Sequence, residues 1–107
     1  MNLPKVLADL VTAQNQFDSA AYTNCFSETA VVFDEGKKHT GKKAIEEWID
    51  ESNKNYQSVM TPLSLTQDGK ISVLSAECSG TFPGSPIVLN FNFEIVGGLI
   101  ESLRVTG

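Results

Sequence analysis

The sequence is poor in the residues that build metal and disulfide chemistry. It has two cysteines, Cys25 and Cys78, and a single histidine, His39. The cysteines lie far apart and in no metal-ligand spacing, so they read as reduced, partly buried thiols. One histidine cannot support a histidine-based zinc site, and neither a metal nor a cofactor is expected. Basic residues are also few: eight Lys and Arg stand against thirteen Asp and Glu, a net charge of −5. A protein that tracks phosphates needs a basic face, and a membrane-surface contact needs a polybasic patch. That balance therefore argues against both nucleic acid and membrane as partners. There is no run of about eighteen apolar residues, so no segment reads as a membrane span. The first residues, Met1 to Lys5, lack a signal-peptide apolar region, and the cytoplasm is the expected location.

What remains is an ordinary globular composition, 41% hydrophobic and 20% charged over 107 residues. That length is expected to form one domain, residues 1–107, with a core of its own. Leu3, Val6, Leu7, Leu10 and Val11 recur at helical spacing, with Lys5, Asp9 and Gln14 outside the stripe. Asn2 is the expected N-cap, with Pro4 in the first turn. Asp18 caps a second short helix carrying Ala21, Tyr22, Cys25 and Phe26. Ala30 to Phe33 then read as a strand, rich in β-branched residues and closed by Asp34.

Glu35 to His39 read as a turn, with Gly36 supplying any positive φ. Thr40 or Gly41 begins a third helix, from about Lys42 to Asn55, with Ala44, Ile45, Trp48, Ile49 and Ser52 along one face. From Val59 the period changes from 3.6 to 2. Asp68-Gly69, Pro83 to Pro86, and Gly97-Gly98 mark the turns between four antiparallel strands. Ile87, Leu89, Phe91, Phe93 and Ile95 alternate with Val88, Asn90, Asn92 and Glu94, which makes the clearest strand of the chain. The expected class is α+β: three N-terminal helices, one strand before the third, on a strongly curved, mainly antiparallel sheet.

This order resembles the nuclear-transport-factor-2-like superfamily, and within it the SnoaL-like and ketosteroid-isomerase-like branch. The residues that carry the resemblance are Phe26-Ser27-Glu28-Thr29-Ala30-Val31-Val32 leading to Asp34, then Thr40-Gly41-Lys42-Lys43-Ala44-Ile45, and the closing Gly97-Gly98-Leu99-Ile100. The similarity spans essentially the whole chain. It implies a cystatin-like cone, a sheet wrapped around helices, with an apolar pocket at the open end. Many members dimerise through the outer sheet face, so a homodimer is the implied partner state. The fold hosts isomerases, cyclases, epoxide hydrolases, dehydratases and non-catalytic binding subunits, so function must be argued from the site.

The resemblance places Asp34 where isomerase-like members hold their proton-shuttling aspartate. A carboxylate beside a carbon acid can remove a proton α to a carbonyl and return it elsewhere. The plainer reading of Asp34 is a solvated strand-end acid beside Lys37 and Lys38. Enolate chemistry also needs preorganised donors. The isomerases supply a tyrosine from the first helix and a protonated aspartate from a late strand. Those places fall here near Leu10 and near Leu89 or Asn90, none of them an acid or a tyrosine. Trp48, Phe33, Tyr22, Tyr56 and His39 are the candidate ligand-binding residues, around a small apolar organic molecule. Each has a plainer role as well, in the core or in solvent. Two functions stay open: acid/base catalysis by Asp34 on a small molecule, or a non-catalytic module that pairs through its sheet. For the second, Asn90, Asn92, Ser72, Leu74 and Val88 are the candidate outer-face residues.

Overall fold

The computed structural model describes all 107 residues. Three helices, α1 (Lys5–Asn15), α2 (Ser19–Thr23) and α3 (Lys42–Tyr56), pack on one six-stranded sheet. The strands are β1 (Phe26–Asp34), β2 (Lys37–Thr40), β3 (Val59–Asp68), β4 (Ile71–Ser79), β5 (Ile87–Val96) and β6 (Leu99–Thr106). Their order across the sheet is β2-β1-β6-β5-β4-β3, antiparallel throughout except for the parallel β1–β6 pair. Register shifts interrupt β1–β6, β3–β4 and β5–β6. The β3–β4 and β5–β6 shifts leave one residue over, and the β1–β6 shift sets residues 27–30 against Glu101 alone. Such irregularities add local bend, which is how a sheet curls around helices.

The α1 face toward the sheet is Leu7, Leu10, Ala13 and Gln14, a period-3.6 stripe. It meets Leu74, Ala76, Phe91 and Phe93 in a core that also takes Phe26, Val32, Ile45, Ile100 and Leu103. Asn15 then imitates a strand neighbour. Its Oδ1 accepts from Met60 N at 2.8 Å and its Nδ2 donates to Met60 O at 3.0 Å, which ties the end of α1 to the start of β3.

Several boundaries differ from the sequence reading. Helix α1 begins at Lys5, with Pro4 rather than Asn2 at the N-cap position and no side-chain cap. Helix α2 stops at Thr23, so Cys25 and Phe26 are not helical, and Phe26 already pairs with β6. Asp18 caps it as expected, accepting from Ala21 N at 3.0 Å. Residues 37–40 are not a turn but strand β2, paired with the end of β1. The turn is only Glu35-Gly36, both at positive φ (51° and 74°). Two consecutive left-handed residues match the twist of a two-residue hairpin, and glycine at the second lowers the strain.

The outer-face assignments also need correction. Ser72 and Leu74 are buried on the inner face of β4, because they share alternation with Ala76 and Cys78. The outer residues of β4 are Ile71, Val73, Ser75 and Glu77. Asn90, Asn92 and Val88 do lie outside: Asn90 accepts from Ser75 Oγ at 2.6 Å, and Asn92 donates to Arg104 O at 2.9 Å. No helix is long and apolar enough to cross a membrane.

Candidate functional site

Strand β1 ends at Asp34, and alternation sends Ala30, Val32 and Asp34 toward the helices. Helix α3 lies over that end of the sheet. Its row Trp48, Ser52, Tyr56, spaced by four, forms one wall of a cavity of about 610 Å³. Inner-face side chains of the sheet make the opposite wall, among them Met60, Cys78, Leu89, Phe91 and Val105. Phe82 and Pro83, from the β4–β5 loop, and Ile87 close one side. The volume is typical of a small-molecule site, and so is the mix of apolar walls with a few polar groups.

Asp34 is half-buried and lines this cavity. Its Oδ2 accepts a hydrogen bond from Trp48 Nε1 at 3.1 Å. Indole N–H only donates, so the bond orients the carboxyl group as an acceptor and leaves Oδ1 free for a ligand. The Trp48 ring is in turn held between Tyr22, with ring centroids 6.1 Å apart, and His39, at 5.8 Å.

Tyr22 comes from α2 and is almost wholly buried. Its hydroxyl has no hydrogen-bond partner in the protein, yet it is not among sealed-off polar atoms, so it opens on the cavity. Burial pushes the phenol well above its usual range, and the neighbouring Cys25, Asp34 and Cys78 add to that. Tyr22 therefore stays a neutral O–H donor at any ordinary pH. Tyr56 stands at the mouth, exposed and edge-on to Phe82 at 6.1 Å. Cys78 lines the wall as a buried thiol, pushed up to about 11 by burial, and is a poor nucleophile.

Of the sequence candidates, Asp34, Trp48, Tyr22 and Tyr56 share the cavity. Phe33 and His39 do not line it. Phe33 precedes Asp34 in the same strand and so faces the other way, where the Arg104 guanidinium sits 4.4 Å above its ring. His39 is on β2 opposite Val32 and packs against Trp48 from outside the cavity. Arg104 makes no ion pair; its place is over Phe33.

The sequence reading missed Gln14, Ser52 and Ser58 as lining residues. Gln14 was assigned to the solvent side of α1, but it is 8% exposed. Its amide donates to Ser58 O at 2.7 Å and to Asn53 Oδ1 at 3.2 Å. Both partners are about forty residues away in the chain, so no local pattern exposes the pairing.

The fold that frames this cavity, helices on a curved sheet, is shared with solved structures. A candidate polyketide cyclase from Sinorhizobium meliloti superposes with a TM-score of 0.92 at 36% identity, over 97% of this chain and 95% of that one. The epoxide hydrolase/cyclase-like enzyme SalBIII, of pyran ring formation in the polyether salinomycin, gives 0.74 at 26%, over 94% and 86%. A Catenulispora acidiphila protein with a ketosteroid-isomerase-like fold gives 0.86 at 17%, over 99% and 87%, a likeness of fold alone. No protein-family model and no curated protein matches the sequence. The chain belongs to the nuclear-transport-factor-2-like superfamily, with the SnoaL-like and ketosteroid-isomerase-like proteins.

Proposed function

We propose that the protein binds a small, mainly apolar organic molecule and acts on it by acid/base chemistry of the isomerase or cyclase type, with Asp34 as the proton carrier. The observation that carries this reading is the Trp48–Asp34 hydrogen bond at the wall of an apolar cavity. A solvated strand-end acid would gain nothing from an aromatic donor that fixes its orientation. The likeness to a candidate polyketide cyclase supports the same class of chemistry.

In this scheme Asp34 removes a proton from carbon next to a carbonyl. The C–H electron pair forms a C=C bond and the carbonyl π pair moves to oxygen. In this scheme the Tyr22 O–H donates to that oxygen, taking the part of donors absent near Leu10 and Leu89. Protonated Asp34 then returns its proton to the same or another carbon. No outside oxidant or co-reactant enters.

The test is hydrogen–deuterium exchange at the α-carbon of 2-tetralone in deuterated buffer, followed by NMR. Wild-type protein accelerates the exchange, and Asp34→Asn lowers it by about 10² to 10⁴, the usual worth of a positioned base. Equal rates for the two proteins would sink the assignment.

A dimer is the second part of the reading. The outer sheet face carries Val31, Phe33, Val73, Ser75, Val88, Asn90 and Asn92 with Glu77, Glu94 and Arg104 among them, and Lys38 beside Phe33 and Asp68 beside Ile71 toward its edges. Such a face suits a second copy of this chain about a two-fold axis, where Arg104 of each copy reaches an acid of the other. Light scattering checks it: a mass of one chain at micromolar concentration removes the dimer and leaves the pocket reading intact. A dimer together with unchanged exchange in Asp34→Asn would favour the non-catalytic binding module.

A further inference from the structure

Gln14 sits at the end of a hydrogen-bond chain whose direction is fixed at both ends. Ser58 O is a backbone carbonyl and can only accept, so the Gln14 atom 2.7 Å from it is the amide nitrogen. At the other end, the Asp50 carboxylate accepts from Ser19 Oγ at 3.2 Å. Ser19 Oγ has then given its proton and accepts from Asn53 Nδ2 at 3.2 Å. That turns Asn53 Oδ1 toward Gln14, where it takes the second amide hydrogen at 3.2 Å. Both Gln14 N–H groups are spent on the protein.

What remains is Oε1. It accepts from nothing in the protein and is not sealed away from solvent. Gln14 is 8% exposed and lines the cavity, so Oε1 meets the outside through that cavity. The amide cannot rotate to offer its nitrogen without breaking both bonds. Gln14 is therefore an acceptor of fixed polarity, held by a chain of bonds that runs from α1 through Asn53 on α3 to Ser19 on α2.

We propose that Gln14 Oε1 is a specificity determinant that selects ligands carrying a hydroxyl or N–H donor on an otherwise flat, apolar body. This deepens the pocket reading above and rests on it. The acceptor groups Asp34 and Gln14 disfavour an anionic ligand, and the Tyr22 O–H offers a donor to an oxygen that a neutral hydroxyl compound carries. The Trp48-Ser52-Tyr56 row runs eight residues along α3, about 12 Å, the length of a two- or three-ring molecule. A neutral hydroxyarene or enol of that size meets each condition.

The probes are 2-naphthol and 2-methoxynaphthalene, which differ by one donor hydrogen and a methyl group. Calorimetry gives their affinities. Wild-type protein should favour 2-naphthol by about 10- to 100-fold, because the methyl ether leaves a buried acceptor unpaired. In Gln14→Met the ratio should fall close to one. Lys70→Ala, outside the cavity lining, should keep it. A ratio lost in Asp34→Asn but kept in Gln14→Met overturns the assignment, and so does a wild-type ratio near one. If Gln14→Met does not fold, the wild-type Gln14 side-chain carbonyl carbon decides by NMR. Its resonance should move with 2-naphthol and stay with the ether, and no difference between them overturns the proposal. Should neither probe bind wild-type protein, the pocket reading itself falls, an outcome distinct from equal binding of both.

Discussion

Gly80 is where the mouth of the cavity and the stability of the fold meet. It lies just after β4, where the chain crosses the C-terminal end of α3. A Cβ built on it would stand 2.3 Å from Tyr56 O and 3.1 Å from both Ser58 Cα and Phe82 Cε1. Two of those atoms are backbone, so a side-chain rotation cannot relieve the clash. Gly80→Ala has two ways out. Keeping the packing forces the backbone aside, and overpacking of this kind costs about 1–3 kcal/mol. Lifting the loop instead sacrifices the cap of α3. Thr81 N donates to Tyr56 O at 2.7 Å, and Thr81 Oγ1 lies 3.1 Å from Tyr56 O and 3.3 Å from Asn55 O. These bonds satisfy carbonyls left open at the helix end, and each contributes about 1 kcal/mol. Either route comes to about 1–3 kcal/mol, which for a domain of this size lowers Tm by roughly 5–15 °C. Urea unfolding followed by Trp48 fluorescence measures it, since Trp48 is the single tryptophan. Gly84→Ala is the contrast: nothing lies within 4 Å of its Cβ, and only its φ of +88° opposes the change. That costs about 1 kcal/mol. A loss below about 0.5 kcal/mol for Gly80→Ala would refute the steric argument. Because Phe82 follows the clash, the same variant should also loosen the Tyr56–Phe82 edge contact and weaken 2-naphthol binding.

Two further outcomes follow from the site and the core. Trp48→Phe keeps a ring between Tyr22 and His39 but removes the donor to Asp34; 2-tetralone exchange should fall about ten-fold, the worth of one such bond, while the circular dichroism spectrum is unchanged. Burial pushes the Cys25 and Cys78 thiols from 9.0 up to about 11. The unfolded chain therefore releases these protons first, and stability is full below pH 9 and falls between pH 9 and 11. Urea midpoints across that range should show the loss. The double variant Cys25→Ala, Cys78→Ala should remove the fall that begins at pH 9 and leave only the part above pH 10 that buried Tyr22 supplies, and an equally steep fall from pH 9 in that variant would locate the alkaline sensitivity elsewhere.

The parts of the fold legible in the sequence are those in which one residue pattern dictates one structure. The Asp18 cap and the alternation of Ile87 to Ile95 are of this kind and are present, and the α1 stripe is present in its centre, Leu7 and Leu10, though the buried face continues to Ala13 and Gln14 rather than back to Leu3. Strand β2 was hidden because Lys37-Lys38-His39 has no strand-like composition. It is extended because it pairs with β1 at an edge, where lysines discourage a further strand from adding. The face of β4 was ambiguous because both its faces carry apolar residues, Ile71 and Val73 on one and Leu74 and Ala76 on the other. Only the packing of α1 settles which set is buried. At the site, Asp34 and Trp48 were legible through the resemblance. Phe33 was avoidable: if Asp34 faces the cavity, its neighbour in the strand cannot. Gln14 was not legible, because its polarity comes from Ser58, Asn53, Ser19 and Asp50, a circuit that closes only in three dimensions.

The Asp34–Trp48 bond shows how the fold makes a site out of an ordinary connection. After Asp34 the chain turns at Glu35-Gly36 and runs back along β1 through the four residues of β2, about 13 Å at strand rise. Gly41 then donates to Ala30 O at 2.8 Å, which locks the start of α3 to β1 four residues before Asp34. From Gly41 to Trp48 is seven residues, about 10 Å at helical rise. The helix therefore returns over nearly the length the hairpin travelled, and two turns of helix set Trp48 beside the carboxylate. The same count fixes what can vary. An exchange of Lys37 or Lys38 for another exposed residue leaves the geometry alone. One residue inserted in β2 reverses which face His39 and Thr40 present and moves the Gly41 anchor off Ala30. Trp48 then leaves Asp34 even though neither residue has changed. The length of the strand–turn–strand–helix segment, more than the identity of most residues in it, is what holds the candidate base in its orientation.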